Sequence, residues 1–455
     1  MSKNSSVFVC QSCGFNSAKW LGKCSSCGSW NSFVEEVKTK SSGLKTIADS
    51  NKKTPVLLSQ IESKNSARTS TGMSELDRVL GGGVVAGSAV LIGGEPGIGK
   101  STLLLQAAMA YQGKNVLYVS GEESEEQIKL RANRLKEFSE NSGLYIYSES
   151  NLNTIIEQAN KNPYDLMVID SIQTLFNPEI ESSPGSVSQV RECSYKLIEF
   201  CKGKNIPLFL IGHINKEGNI AGPKVLEHLV DTVLQFEGDR NHLYRLVRTL
   251  KNRFGNSFEI GVFEMKPDGL NEVQKPGTFF LSGFEQNNNL SGSVITTVLE
   301  GNRAFLLEVQ ALVSSAVYGM PQRVANGFDA KRLNLLLAVL EKKCGFKLGQ
   351  KDVFMNITGG FRINDPAIDL AVAISVLSSN EDVAVDKSYC LIGEVGLGGE
   401  IRGVLGLEQR IKEAYKMGFT KIIIPAPQFK ADFIADGLSI IPARDITAVL
   451  GEIFG

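Results

Sequence analysis

The stretch GGEPGIGKST, residues 93–102, spaces Gly94, Gly99, Lys100 and Ser101 as G-x4-G-K-S. Glycines at this spacing let successive backbone N–H groups converge on phosphate oxygens. The lysine then reaches the β- and γ-phosphates, and the serine hydroxyl ligands Mg2+. Gly94, Glu95, Pro96, Gly97, Ile98, Gly99, Lys100, Ser101 and Thr102 are therefore the expected cradle for ATP with Mg2+. A glycine-rich turn without function is the bland alternative. Context argues against it: the apolar run SAVLI leads in, and the helical pattern KSTLLLQAAMA leads out. A strand feeding a helix N-terminus adds the helix dipole to the anion site.

Three further strand ends carry groups suited to the same chemistry. YDLMVIDS ends an apolar run at Asp170, expected beside the phosphate-loop strand, where a carboxylate joins the Mg2+ shell. Taken alone, such an aspartate is usually a turn residue. VLYVSGEES ends another run at Glu122 and Glu123. Either can orient and deprotonate an attacking water, with Glu122 ahead. The competing reading is that both merely open the helix that follows, where acids favour the N-terminus. His213 ends LFLIGHIN on the same side, as a γ-phosphate sensor or an ordinary loop histidine.

Near the N-terminus, Cys10, Cys13, Cys24 and Cys27 form two C-x2-C pairs separated by ten residues. Four thiolates complete a tetrahedral Zn2+ shell, and such a closed shell is structural. A segment this short lacks a core of its own, so the metal would supply its folding energy. A redox dithiol or a disulfide pair is the alternative. Gly14 and Gly28 follow the pairs and ease the turns.

LKNRFGN, residues 250–256, sets Lys251 and Arg253 one residue apart at a strand end. On its own this is a solvated sheet edge, where cations blunt pairing.

These groups need a scaffold. From about Thr69, apolar runs alternate with helical stretches, which argues for an α/β fold with a mostly parallel sheet. The runs DTVLQFEG, HLYRLVRTLKNR and FEIGVFEM have short polar connections and read as antiparallel strands at one edge. The expected division is a zinc ribbon at 1–34, a Lys/Ser-rich linker at 35–65, an ATPase domain at 66–275 and a further domain at 276–455. With 42% apolar and 21% charged residues the composition is that of a soluble globular protein. The net charge of −1 gives no global attraction to nucleic acid, which leaves local basic patches to do that work. There is no membrane-length apolar run and no secretory leader pattern, so a cytoplasmic location is expected, with Cys193, Cys201, Cys344 and Cys390 as reduced thiols.

The order of phosphate loop, glutamate, aspartate and polar strand end resembles the RecA-like ATPase core. That resemblance implies rings or filaments with ATP at the subunit boundary. Lys251 and Arg253 then acquire a role, reaching the ATP of the adjacent protomer as cationic fingers. Nearly the whole chain resembles the bacterial RadA DNA-repair family. The motifs are CQSCG…CSSCG, STGMSELDRVLGGGVVAGSAVLIGGEPGIGKSTLLLQ, YVSGEES, VIDSIQTL, GHINKEG and KNRFG. The resemblance implies a DNA-dependent ATPase that assembles as a homohexameric ring. It would act on single-stranded and branched DNA beside RecA and drive helicase-like branch migration.

The C-terminal part resembles the Lon protease domain through DPAIDLAVAISVLSS and IGEVGLGGEIRGVLGLEQRIKEAYKMGFTKIIIP. The nucleophile and lysine positions of that family fall on Ala367 and Glu408, neither of which can serve. A non-proteolytic scaffold is expected, with Arg303, Arg323, Lys331, Arg332, Arg362 and Arg402 as surface cations or DNA contacts.

In RecA-like cores the loops after the aspartate strand and after the next strand face the ring centre. Residues 176–187 are acidic and Gly/Pro/Ser-rich, which predicts mobility. Residues 216–224 offer Lys216 and Lys224 to a DNA backbone. Three rival readings remain: an ATPase of protein assembly or signalling without DNA coupling, an ATP-dependent protease, and a filament-forming strand-exchange recombinase. Stimulation by single-stranded DNA, casein digestion and electron microscopy respectively discriminate them.

Overall fold

The structure is a computed structural model describing residues 5–10, 14–26, 28–38, 57, 68–113, 115–136, 143–213, 224–238, 244–273, 290–316, 321–358, 363–430 and 436–455. The chain divides into two compact units, Met1–Val273 and Gln274–Gly455.

The first unit begins with a small antiparallel sheet of β1 (Ser5–Cys10), β2 (Asn16–Ser17) and β3 (Phe33–Lys38), in the order β2-β1-β3. β3 pairs with β1 along its full length, from Phe33 against Cys10 to Lys38 against Ser5. Residues 35–38 thus belong to the ribbon, four residues into the expected linker.

After β4 (Arg68–Thr69), α1 (Ser74–Leu80) and β5 (Val84–Val85), the ATPase core follows. Its elements are β6 (Ala89–Gly94), α2 (Lys100–Ala110), β7 (Val116–Ser120), α3 (Glu125–Ala132), β8 (Leu144–Ser148), α4 (Leu152–Lys161), β9 (Leu166–Asp170), α5 (Val187–Lys204), β10 (Leu208–His213), α6 (Lys224–Leu229), β11 (Thr232–Glu237), β12 (Tyr244–Asn252), β13 (Ile260–Lys266) and β14 (Gly269–Glu272). Among the described residues the strands form one sheet in the order β14-β13-β12-β11-β6-β10-β9-β7-β8.

Two expectations are corrected by this order. β11 is a parallel strand inside the sheet, with Thr232 beside Val90 and Phe236 beside Gly94; only β12 to β14 run antiparallel at the edge. β9, which carries Asp170, is not next to β6, because β10 lies between them. Helices cover both faces. Val90, Ile92, Tyr118, Val168 and Phe209 pack on the side of α1, α2 and α3. Leu91, Leu117, Met167, Ile169 and Leu210 alternate onto the side of α4, α5 and α6. Strands apolar on both faces are what such a doubly covered parallel sheet requires.

The second unit contains β15 (Ser293–Glu300), β16 (Arg303–Ser315), β17 (Arg323–Asn326), α7 (Ala330–Cys344), β18 (Lys351–Ile357), α8 (Asp369–Glu381), β19 (Tyr389–Leu391), β20 (Glu394–Val395), β21 (Ile401–Arg402), α9 (Leu407–Lys416), β22 (Lys421–Pro425), β23 (Ser439–Ala443) and α10 (Ile446–Phe454). Its described strands form a β15-β16-β18-β17 sheet, a parallel β19-β22-β23 sheet and a β20-β21 pair. α8 is buried without interruption from Asp369 to Ser378, and a helix apolar nearly all round is one that lies inside.

Candidate active site and zinc ribbon

The phosphate loop joins β6 to α2. Gly99 caps α2 with a φ of 117°, a conformation that favours glycine. A Cβ at Gly99 would also meet the Met265 methyl at 2.8 Å. Lys100 opens the helix and is buried, and its Nζ donates to the carbonyls of Gly94 at 2.7 Å and Glu95 at 2.8 Å. Burial lowers its pKa to about 8, opposed by the charges of Asp170, Glu122 and Glu95. The underside of the loop is braced by Arg245 of β12, whose Nε donates to the Ile98 carbonyl at 3.2 Å.

Ser101 Oγ donates to Asp170 Oδ1 at 3.0 Å, so the serine and aspartate converge although their strands are not neighbours. One hydroxyl and one carboxylate make a hard-oxygen pair of the kind Mg2+ takes beside phosphate. The other Asp170 oxygen accepts from the Tyr118 hydroxyl at 2.6 Å. Burial, and then Asp170, pushes that hydroxyl well above its ordinary pKa, which keeps it a donor.

The two glutamates have separate partners. Both precede α3, whose N-cap is Ser124 in a capping box with Gln127, so neither is a residue of the helix. Glu122 Oε1 accepts from Ser171 Oγ at 2.8 Å, directly after Asp170, and its charge acts on Lys100. Glu123 is held by Arg131 of α3, with Nη1 at 2.8 Å from Oε1 and 2.7 Å from Oε2. Arg131 also lies 3.9 Å from Asp170 Oδ2 and donates to the Tyr118 hydroxyl at 3.5 Å. Tyr118, Arg131, Ser171 and Arg245 escaped the sequence reading. Tyr118 lies two residues before the first serine of a motif already in hand, but nothing local marks its partner.

His213 ends β10 in register with Gly94, at the mouth of the loop, and its side chain lies outside the described residues. Lys251 and Arg253 lie at the other end of the sheet. Lys251 is in register with Val233, which is in register with Leu91. The Arg253 N–H donates to the Asp231 carbonyl at 3.1 Å, and the Asp231 N–H to that of Ala89 at 2.9 Å. From Ala89 to Gly94 is five strand residues, about 16 Å at ~3.3 Å each. Neither cation is near its own phosphate loop.

The local anion they face is Asp231, whose Oδ2 accepts from the Ala89 N–H at 3.0 Å and whose Oδ1 lies 3.2 Å from Lys202 and 3.4 Å from Arg253. Lys251 Nζ donates to the carbonyls of Glu227 at 2.6 Å and Val230 at 2.8 Å, at the C-terminus of α6. Desolvation, and then the neighbouring Arg253 charge, lowers the Lys251 pKa. Three cations thus gather around one buried carboxylate.

The loop at 176–187, expected to be mobile, is wrapped around one side chain. Gln189 Oε1 accepts from the Asn177 N–H at 2.8 Å, and its Nε2 donates to Asn177, Ile180 and Ser182 carbonyls at 3.2, 3.1 and 2.9 Å. Lys216 lies outside the described residues, and Lys224 opens α6 with its side chain also outside them.

In the ribbon, Cys10 and Cys24 are buried and pack with Phe33. The Gly14 N–H donates to the Cys10 carbonyl at 2.8 Å, and the Gly28 N–H to that of Cys24 at 2.9 Å. Gly14 and Gly28 share φ values of 75° and 76°, so the two turns are duplicates. Cys13 and Cys27 lie outside the described residues. Duplicate turns presenting one thiol each to a common interior fit a four-thiolate Zn2+ shell.

In the second unit Ala367 is fully buried and its N–H donates to Asp365, while Glu408 is exposed and paired with Lys412. The inward charge on α9 is instead Arg410, fully buried, which donates to the carbonyls of Leu405 at 2.8 Å and Thr297 at 2.7 Å and to Asp365 at 2.6 Å. Of the candidate surface cations, Arg332 is bound to buried Asp369 and to the Val395 carbonyl, and Arg402 to Glu400 and Glu394. Arg332 is therefore an internal tie and not a solvated charge. Arg323 donates to Asn334, Arg303 lies over the Phe305 ring, Lys331 is exposed, and Arg362 lies outside the described residues.

The fold and site define a RecA-like P-loop ATPase core carrying an N-terminal zinc ribbon and a C-terminal Lon-protease-like domain. Family models agree by segment: a rubredoxin metal binding domain at 8–35, an AAA domain at 58–219, and subunit ChlI of Mg-chelatase at 309–428. Over the full length of both chains, the sequence is 50% identical to DNA repair protein RadA of Aquifex aeolicus, 47% to that of Bacillus subtilis and 46% to that of Streptococcus pyogenes. A crystal structure of the RadB recombinase matches 45% of this chain and 99% of its own at 23% identity, with a TM-score of 0.36. The chain belongs to the bacterial RadA family. Among the described residues no helix is long and apolar enough to cross a membrane.

Proposed function

We propose that this protein is a DNA-dependent ATPase of DNA repair and recombination, in which each nucleotide pocket is completed by a neighbouring copy. The observation that carries the reading is the division of the site between two ends of one sheet. Ser101, Asp170, Glu122 and Lys100 converge at the mouth of the phosphate loop, while Lys251 and Arg253 sit at the far end.

Ser101 and Asp170 would hold Mg2+, which screens the phosphate charge and fixes the β- and γ-phosphates. Lys100 exchanges the two loop carbonyls for phosphate oxygens. Tyr118 and Arg131 fix Asp170, and Glu123 fixes Arg131. Glu122, whose Oε1 accepts from Ser171 and whose charge acts on Lys100, is the base for the attacking water. Lys251 and Arg253 stabilise the charge that grows on the neighbour's γ-phosphate. Arg253 is half-exposed, so leaving Asp231 costs it little.

The working form is a ring, read as a hexamer, on single-stranded and branched DNA, with branch migration beside RecA as the task. Lys216 and Lys224 are the proposed backbone contacts. The Lon-like unit is a scaffold without proteolysis, because Ala367 and Glu408 offer neither nucleophile nor amine. The deciding experiment is ATPase rate against protein concentration with and without single-stranded DNA. Specific activity should rise with concentration and rise again with DNA. Full activity at dilutions that leave only monomers would end the shared-pocket reading, and indifference to DNA would end the coupling.

A further inference from the structure

The ribbon keeps its large apolar side chains outside. Its interior is Cys10, Cys24 and Phe33 with Phe8 against them, whereas Phe15, Trp20, Leu21 and Trp30 are exposed. Trp20 and Trp30 are the two tryptophans of the chain, 52% and 70% exposed. Indoles are highly buried on average, so both standing in water in one small module is a surface in need of an occupant.

Both indoles are tied to the Gly22–Lys23 step. The Trp20 ring lies over Gly22, where a Cβ would sit 3.8 Å from the indole edge. The Gly22 carbonyl accepts the Asn31 N–H at 2.8 Å, and Lys23 bridges to Trp30 as an antiparallel partner. Lys23 Nζ stands 5.4 Å from the Trp30 ring centroid, in cation–π range. Lys19 is exposed beside Trp20. The ribbon, residues 1–38, contains lysines at 3, 19, 23 and 38 and glutamates at 35 and 36.

We infer that this face is a stacking platform for single-stranded nucleic acid, with bases laid on Trp20 and Trp30 and phosphates taken by Lys19 and Lys23. Every base has a π-face, so the platform grips a strand without reading its sequence. Lys19 and Lys23 beside the indoles, in a ribbon whose lysines outnumber its carboxylates four to two, decide for a polyanion over an apolar protein groove. The inference rests on the reading that the chain works on DNA.

Because both tryptophans lie here, intrinsic tryptophan emission reports this face alone. The test uses the full-length zinc-loaded protein with oligo(dT), and an abasic deoxyribose-phosphate oligomer of equal length as control. The expected result is quenching by oligo(dT) and none by the abasic strand. Trp30→Ala should weaken the quench reported by Trp20 about 5- to 140-fold in affinity. Lys23→Ala should lower its salt slope by about one. Both side chains lie outside the metal interior, so zinc content should stay unchanged and certify the fold. Oligo(dT) that accelerates ATP hydrolysis while tryptophan emission stays constant overturns the platform and leaves the DNA-dependent ATPase standing. Failure of both effects overturns both. An emission change seen only on adding RecA overturns the platform in favour of a protein partner.

Discussion

Replacing Arg253 with alanine separates a shared pocket from a self-contained one. The structural cost is small. Asp231, though buried, keeps Lys202 at 3.2 Å and the Ala89 N–H at 3.0 Å, and only the half-exposed Arg253 is lost from it. Such a pair is worth ~0.2–1 kcal/mol, so the variant folds. Lys251→Ala is less clean, since it strips two carbonyls at the end of α6, at ~1–3 kcal/mol. Catalytically, loss of a cationic finger lowers turnover ~10³- to 10⁵-fold. ATP affinity should hold, because Arg253 is about 16 Å from its own loop by strand rise. Lys100→Ala is defective for the opposite reason, with a damaged loop and an intact finger. Mixed one to one after subunit exchange, the two dead variants should regain activity. A pocket works only where an Arg253→Ala subunit offers its loop to a Lys100→Ala subunit's finger, which random placement gives in about one boundary in four. Phosphate release should therefore recover to roughly a quarter of wild type. A mixture as inactive as its parts, with exchange verified by light scattering or labelled subunits, refutes the shared pocket.

Other expected outcomes are more direct. Glu122→Gln should slow single-turnover hydrolysis ~10²- to 10⁴-fold with ATP still bound. Glu123→Gln should act more weakly and raise the Mg2+ needed, because it frees Arg131 beside Asp170, which a Mg2+ titration of both variants will separate. Arg410→Met should destabilise the second unit by ~3–5 kcal/mol, since Asp365 loses its buried cation, as read by urea denaturation. Chelation should release one zinc per chain and abolish protection of the ribbon in hydrogen exchange, while nucleotide binding to the core persists. Gln189→Ala should expose residues 177–182 to proteolysis, because four backbone groups lose the carboxamide that ties them.

The phosphate loop and the cysteine pairs were legible because their chemistry is local. Each needs residues a few positions apart on one turn, and the chain fixes such spacing before any packing occurs. Alternation of apolar runs gave the parallel sheet for the same reason. Strand order was another matter. Which strand lies beside β6 depends on crossover paths, and β10 and β11 took the places assigned by reading to β9 and an edge. Loop 176–187 looked mobile by composition, and a glutamine on the following helix overrides composition by supplying four hydrogen bonds.

By itself the sequence determined which atoms are present for phosphate and metal chemistry, and the turn geometry that displays them. Only the tertiary structure decided that Asp170 meets Ser101, that Arg131 claims Glu123 and leaves Glu122 to Ser171, and that Lys251 and Arg253 lie at the end of the sheet away from their own loop. Asp170 and Ser101 are 69 positions apart and Ser171 and Glu122 are 49, and their meeting is set by burial of two apolar faces, which no local pattern encodes.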